Sequence, residues 1–368
     1  MLRNGLGEVI SHVAPVANGF ADLFTGSGAV ACHVAENYDV SVQAFDLQQF
    51  AIALADSVVG RDKPTENDLW LSEWVVRASD AVKSSNIRKP AEEIDIRIKT
   101  SELSEAVAEA RAISSESEFS FCRAYGGYYF SPLQASVLGA LRENLPDDRA
   151  QRKIGLAALI STASQCAASP GHTAQPFRPT ETAGKYLVEA WGRPVGEVLK
   201  LRVAEIARRH ALKKGGARVA DANAVAAELE EGCVAFVDPP YSSVHYSRFY
   251  HVLETICRGS SGEVSGAGRY PPPEERPSSN FSIQTRAHKA FEELFSTLAG
   301  SGARAIVTFP DKGASNGITG DILREIAADK FVIVEEKVSS RFSTMGGNSN
   351  HRAARQDAVE LILSLCPR

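Results

Sequence analysis

The chain is short of the features that build specialised scaffolds. Its six cysteines (Cys32, Cys122, Cys166, Cys233, Cys257 and Cys366) are scattered, with no C-x-x-C pair. That spacing speaks against a zinc cluster and against a small disulfide framework, and it predicts reduced thiols in a cytoplasmic protein. No uncharged apolar run approaches the roughly 18 residues that a membrane span needs. The opening MLRNGLGEVISH has no continuous apolar stretch of the kind a secretory signal carries. Positive charge is not in excess either: 40 Lys and Arg stand against 45 Asp and Glu, a formal net of -5. A nucleic-acid partner would then need local basic patches rather than bulk charge. His12, His33 and His172 are isolated, with no ligand spacing between them, so no metal is expected. There is no internal repeat. A composition of 44% hydrophobic and 23% charged residues excludes a disordered chain, a collagen-like repeat and a coiled coil.

What is present is an interrupted α/β pattern. Near the N-terminus, helical spacing in LGEVISHVA leads to the strand GFADLF, a helix over 28–36, the strand VSVQAF and the helix LQQFAIALADSVV. Strand, helix, strand, helix predicts a parallel sheet. Residues 61–216 are mostly helical in pattern, as in LQASVLGALREN and QRKIGLAALISTAS, with a Gly/Pro loop at SPGHTAQPFRP. From residue 217 the strand-like stretches ARVADA, CVAFV, ARAIVTF, KFVIVEEKV and DAVELILSL return, most of them separated by helical ones. The two α/β segments together supply seven candidate strands. The simplest architecture is one α/β sheet domain, residues 1–60 and 217–368, interrupted by a helical insertion at 61–216. A long insertion between two strands of one sheet is unusual and as a rule functional.

Two motifs carry chemistry. The first is Asp22-Leu23-Phe24-Thr25-Gly26-Ser27-Gly28, which closes a strand and opens a helix. Glycine lets the backbone turn tightly and approach a ligand, and a helix N-terminus offers free N–H groups to an anion. Asp46 ends the second strand 18 residues after Gly28, where an acid can accept both hydroxyls of a ribose. That pairing suits an adenosine-bearing cofactor. Ala31 stands where the dinucleotide pattern has its third glycine, which disfavours NAD. A tight turn beside a solvated carboxylate is the plain alternative.

The second motif is Asp238-Pro239-Pro240-Tyr241, at the end of the apolar strand CVAFV. Two prolines stiffen the turn and remove two N–H donors, while their carbonyls stay free to accept. Asp238 is a further acceptor at the carboxyl end of the strand, where open α/β sheets bind ligands. Tyr241 adds an aromatic face. The group forms a receptor for a flat ring carrying an NH₂: acceptors hold the amino hydrogens and the ring stacks on the tyrosine. The bland reading is a Pro-rich turn with an N-capping Asp.

Together the motifs resemble the amino-methyltransferases that use S-adenosylmethionine (SAM), and most closely the Dam-like, D12 class adenine-N6 DNA methyltransferases. The resemblance covers both α/β segments. Arg3 stands about where the family has the lysine of a GGK signature, which this chain lacks. The tail KVSSRFSTMGGNSNHRAARQDAVELILSL is similar to the family's final hairpin and its Arg/Ser/Asn loop. The resemblance implies a Rossmann-like, seven-stranded mixed sheet with the insertion as target-recognition domain. It implies SAM as the cofactor, held by Asp22, Phe24, Thr25, Gly26, Ser27, Gly28, Asp46, Leu47 and Asp221, with Asp238, Pro239, Pro240 and Tyr241 as the catalytic motif. The implied activity is methyl transfer to the N6 amino group of adenine in double-stranded DNA, by base flipping and direct in-line attack, in the setting of restriction–modification. No membrane and no metal is implied.

Charge is segregated along the chain. Residues 202–218 hold six Arg or Lys and one Glu, and residues 338–356 hold three Arg and no acid. These two stretches are the expected DNA contacts. The segment Ser242–Tyr250, with His245 and Arg248, is expected to wall a base pocket or meet phosphates. Phe249, Val252, Leu253 and Ile256 have the spacing of a helix packed on the sheet. YGGYYFSPLQA, residues 125–135, stands open between a ligand contact and a hydrophobic lead into a helix, and the Gly/Pro/Ser-rich stretch 260–282 is read by default as a surface loop, with a lid or DNA-contacting loop as the alternative. Competing functions are an RNA adenine-N6 or guanine-N2 methyltransferase, a cytosine-N4 enzyme, which more often begins its motif with serine, and a DNA-binding relic without activity.

Overall fold

A computed structural model of the chain describes residues 2–66, 68–98, 102–243, 246–312, 314–341 and 357–368. Each of the seven apolar stretches forms a strand: β1 (Gly19–Asp22), β2 (Val42–Asp46), β3 (Gly216–Val219), β4 (Cys233–Val237), β5 (Arg304–Pro310), β6 (Phe331–Arg341) and β7 (Asp357–Pro367). They make one mixed sheet in the order β3-β2-β1-β4-β5-β7-β6. The first five lie parallel, and β7 runs antiparallel to both β5 and β6. This is a mixed α/β sheet of the Rossmann-like kind, as the resemblance implies.

The central strands β1, β4 and β5 are apolar on both faces because both faces are covered. Successive residues of β1 point opposite ways. Phe20 joins Val42, Ala44 and Phe236 under α1 (Gly7–Val13) and α2 (Ala29–Asn37). Ala21 joins Val237, Val307 and Phe309 on the other face. That face carries α12 (Ala222–Ala226), α14 (Gln284–Gly300) and α15 (Gly320–Ala328), with Phe291 and Phe295 of α14 fully buried. The strand order reverses at β1, which pairs with β2 on one side and β4 on the other. Such a switch point opens a crevice at the carboxyl ends of the strands. Both motifs begin there, in register: Asp22 pairs with Phe236, and the Leu23 N–H donates to the Phe236 carbonyl at 3.0 Å.

After β2, α3 (Gln49–Val59) leads into eight further helices before β3: α4 (Asp68–Ser84), α5 (Arg88–Arg97), α6 (Leu103–Ser115), α7 (Ser120–Tyr125), α8 (Pro132–Glu143), α9 (Arg149–Cys166), α10 (Gly184–Trp191) and α11 (Val195–Arg208). Their core is built around Trp74, Leu138, Ile154 and Leu199. The YGGYYFSPLQA stretch is part of it. Tyr125, Tyr129 and Phe130 are wholly buried, and Ser131 with Gln134 forms a capping box that starts α8. The Tyr125 hydroxyl meets Thr255 Oγ1 at 2.8 Å, and the Tyr129 hydroxyl donates to the Thr173 carbonyl at 2.6 Å.

The helix after the second motif, α13 (Ser247–Arg258), has the expected apolar stripe but a different partner. Val252, Leu253 and Ile256 are buried among α3, α7 and α9 and not on the strands, so α3 and α13 together join the insertion to the sheet. Among the described residues, no helix is long and apolar enough to cross a membrane.

Candidate active site

The first motif is fastened from behind. Asp22 is buried, and its Oδ1 accepts from the Phe24 N–H at 3.3 Å. The Thr25 hydroxyl donates to the Asp22 carbonyl at 3.2 Å, and the Thr25 N–H to the Phe45 carbonyl of β2 at 3.0 Å. Asp46 then ties the two loops together. One of its oxygens accepts from the Gly26 N–H and the other from the Gln48 N–H, each at 2.9 Å. Gly26 has φ +52° and Gly28 φ +75°, conformations that side chains disfavour. At Gly28 a Cβ would also come within 3.3 Å of the Ala55 backbone, so this glycine serves the close packing of α2 against α3.

The second motif is held by β5 and the loop after it. The Thr308 hydroxyl of β5 donates to Asp238 Oδ1 at 2.9 Å. The Asn316 amide, wholly buried, donates to the Pro240 carbonyl at 3.1 Å and to the Phe281 carbonyl at 3.0 Å. The Ser315 N–H donates to the Tyr241 carbonyl at 3.0 Å, and the Ser243 N–H to Ser315 Oγ at 2.9 Å. The prolines thus present a turn whose rear is pinned, with Asp238 facing forward. Tyr241 stands edge-on to Tyr246, ring centroids 6.5 Å apart.

The two motifs share one cavity of about 680 Å³. Phe24, Gly26, Ser27, Asp46, Leu47 and Asp221 line it from one side and Asp238, Pro239, Pro240 and Tyr241 from the other. Asp22, Thr25 and Gly28 stand behind the wall and hold its shape. Asp221 also caps α12, accepting from the Asn223 N–H at 3.0 Å. Burial sets the electrostatics. It pushes the Asp238 carboxyl up to about 7, against the Thr308 bond, with Glu360 adding to the rise. It pushes Asp22 up to about 8, with Asp238 and Asp46 close enough to add repulsion. Asp46 is raised too, by burial against its three backbone N–H partners. Asp46, Asp221 and Asp238 put three carboxyl groups on the cavity wall, an arrangement that favours a ligand bringing positive charge.

Several wall residues have no motif to announce them. Ile160, Ser161 and Ser164 of α9 reach the cavity from the insertion, and Pro277, Ser279 and Ser282 reach it from the 260–282 stretch, which is therefore more than a surface loop. Thr308 left one signal, a lone hydroxyl in the apolar run Ala305–Phe309. Of the expected DNA contacts, Val244, His245 and residues 342–356 lie outside the described residues, as does the side chain of Arg3. Within 202–218, Arg202 pairs with Glu205, Arg209 with Glu36 and Arg218 with Glu228, so half of the six cations are already matched by carboxylates. Among the described residues, no group of three or more His, Cys, Asp or Glu could hold a metal.

Residues 199–314 match the family model of the D12 class N6 adenine-specific DNA methyltransferases. The resemblance to that class holds. The matched segment runs from α11 through the Asp238–Tyr241 turn and β5. The chain is also similar to the modification methylase LlaI of Lactococcus lactis subsp. lactis, 31% identical over 134 residues. Those residues are 36% of this chain and 20% of that protein, so the chain spans about a fifth of the length of the curated relative it matches.

Proposed function

We propose that the chain is a SAM-dependent DNA methyltransferase acting on the N6 amino group of adenine in duplex DNA. The observation that carries this reading is the shared cavity, in which the glycine turn with Asp46 faces the Asp-Pro-Pro-Tyr turn across adjacent strands. The D12 match and the name of the similar modification methylase support the same chemistry and the setting of restriction–modification.

The residues fit the cofactor. The Asp46 carboxylate spends part of its lone pairs on backbone N–H groups and keeps acceptor capacity for a ribose hydroxyl. Leu47 and Phe24 offer apolar surface to an adenine ring, Gly26 and Ser27 keep the turn open, and Asp221 supplies a further acceptor. When bound there, SAM supplies an electrophilic methyl group on a positively charged sulfur.

The amino group of a purine is a weak nucleophile because its lone pair is delocalised into the ring. Asp238 and the Pro239 carbonyl accept its two hydrogens and favour the pyramidal nitrogen that attacks in line. Charge growing on that nitrogen is met by fixed oxygen dipoles, an oxyanion hole with the sign reversed. Holding the amine in alignment supplies much of the remaining rate. Tyr241 stacks on the base once it is flipped from the duplex and offsets part of the few kcal/mol that extrusion costs. The helical insertion serves target recognition, for which its reach into the cavity through α9 is the support.

The test offers labelled SAM with unmethylated duplex DNA and structured RNA side by side. Label in DNA, recovered as N6-methyladenine, is expected; label in RNA alone would reject the reading.

A further inference from the structure

Two polar side chains in the cavity wall each hold a buried oxygen without a hydrogen-bond partner among the described residues. Gln48 is 8% exposed and Ser247 5% exposed, and both line the cavity. Gln48 Oε1 and Ser247 Oγ are buried without a hydrogen-bond partner among the described residues. Buried amides and hydroxyls are ordinarily bonded, because their lost hydration is otherwise uncompensated.

Their freedom has a structural cause. Gln48 is the N-cap residue of α3, extended at φ -101° and ψ 127°, yet its side chain makes no cap bond. Glu254 of α13 takes that place: its Oε1 accepts from the Gln49 N–H at 3.1 Å and its Oε2 from the Phe50 N–H at 3.0 Å. Ser247 opens α13, and one turn later Tyr250 lies against Phe50, ring centroids 5.4 Å apart. The starts of α3 and α13 are thereby locked side by side, Gln48 before one and Ser247 in the other. Both line the same cavity as Tyr246, which follows Tyr241 along the wall and directly precedes Ser247 in the chain.

Resting on the reading of the site as an adenine-N6 methyltransferase, we propose that Gln48 and Ser247 hydrogen-bond the ring nitrogens of the flipped adenine. Asp238 and Pro239 see only the amine. An amide carries a donor and an acceptor side by side, and rotation of its last bond presents either end; a hydroxyl serves as either. The purine ring of adenine presents acceptor nitrogens beside its amine, N7 among them. Donors from Gln48 and Ser247 complement that edge and make the slot specific for adenine.

The test begins with wild-type protein, SAM and unmethylated duplex DNA, with methylated positions found by sequencing. That site is then built into oligonucleotides carrying adenine, 1-deazaadenine or 7-deazaadenine at the target. Each deaza base is expected to lower the wild-type kcat/KM about tenfold or more, since a buried protein group loses its partner. Q48L and S247A are each expected to lose as much on adenine and nothing further on the deaza base that lacks the partner of the side chain removed, with SAM affinity unchanged. Unchanged SAM affinity also reports that each variant is folded. Variants that match wild type on adenine, losses that multiply with the deaza change, or a loss confined to SAM affinity would each overturn the assignment. A wild-type protein that binds SAM but methylates no DNA would instead refute the reading beneath it.

Discussion

On the proposed reading Asp238 accepts an amine hydrogen most strongly as a carboxylate, yet its surroundings penalise the charge. With its carboxyl raised to about 7 and that of Asp22 to about 8, the native state holds protons that the unfolded chain has released near 3.8. Stability is therefore lost as pH rises from the unfolded value through these folded values, the reverse of a salt-bridged carboxylate. D238N and D22N, which keep the shape and remove the charge, should melt a few degrees higher than wild type at pH 8. The gain should shrink to nothing near pH 4, as a melting series across pH will show. Thr308 works in the opposite direction by bonding the ionised form. T308V should move the acid limb of kcat/KM for SAM to higher pH, whereas a merely structural loss would lower the profile without shifting it. The motif residues were legible because a carboxylate and two prolines after a buried strand are chemically conspicuous. Thr308 and Asn316 were not, because their importance lies in what they face across the sheet.

The elements follow the same division. The central strands β1, β4 and β5, covered on both faces, are nearly continuous apolar runs, which made them legible. The spacing of α13 disclosed which side is buried, but periodicity is silent about the partner, and here the partner is α3 and α9 in place of the strands. The contact that matters most at this scale is the cap on α3 provided by Glu254, more than 200 positions away in sequence. It holds the start of the helix that follows Asp46 and Leu47, so one carboxylate links the Asp46 side of the crevice to the helix beyond the Asp238–Tyr241 turn. E254A strips two helix N–H groups of their acceptor and should cost about 1–3 kcal/mol. Denaturant titration will measure that loss, and SAM affinity should weaken with it because the Asp46 loop is no longer anchored. A stability loss with SAM affinity intact would show that the cap does not reach the site.

For the whole molecule, the site exists because two distant parts of the chain enter one sheet side by side. β1 and β2 come before the helices of the insertion and β3 to β7 after them, and the crevice opens where the strand order reverses between β1 and β4. The α/β periods foretold that sheet; the way the insertion rests on α3 and α13 and sends α9 into the cavity is tertiary and left no local trace. On the proposed reading, the net charge of -5 and the carboxylate pairing of Arg202, Arg209 and Arg218 would leave DNA contact within 202–218 to particular side chains. The most direct measurement is methyl transfer from SAM to unmethylated duplex DNA by wild type and by D238A, read as N6-methyladenine by mass spectrometry, with SAM binding followed on the same preparations. The account predicts N6-methyladenine from wild type, a rate lower by about 100-fold or more in D238A, and SAM binding by both. Equal rates from the two proteins, or SAM binding by wild type with no methyl transferred to adenine, would contradict it.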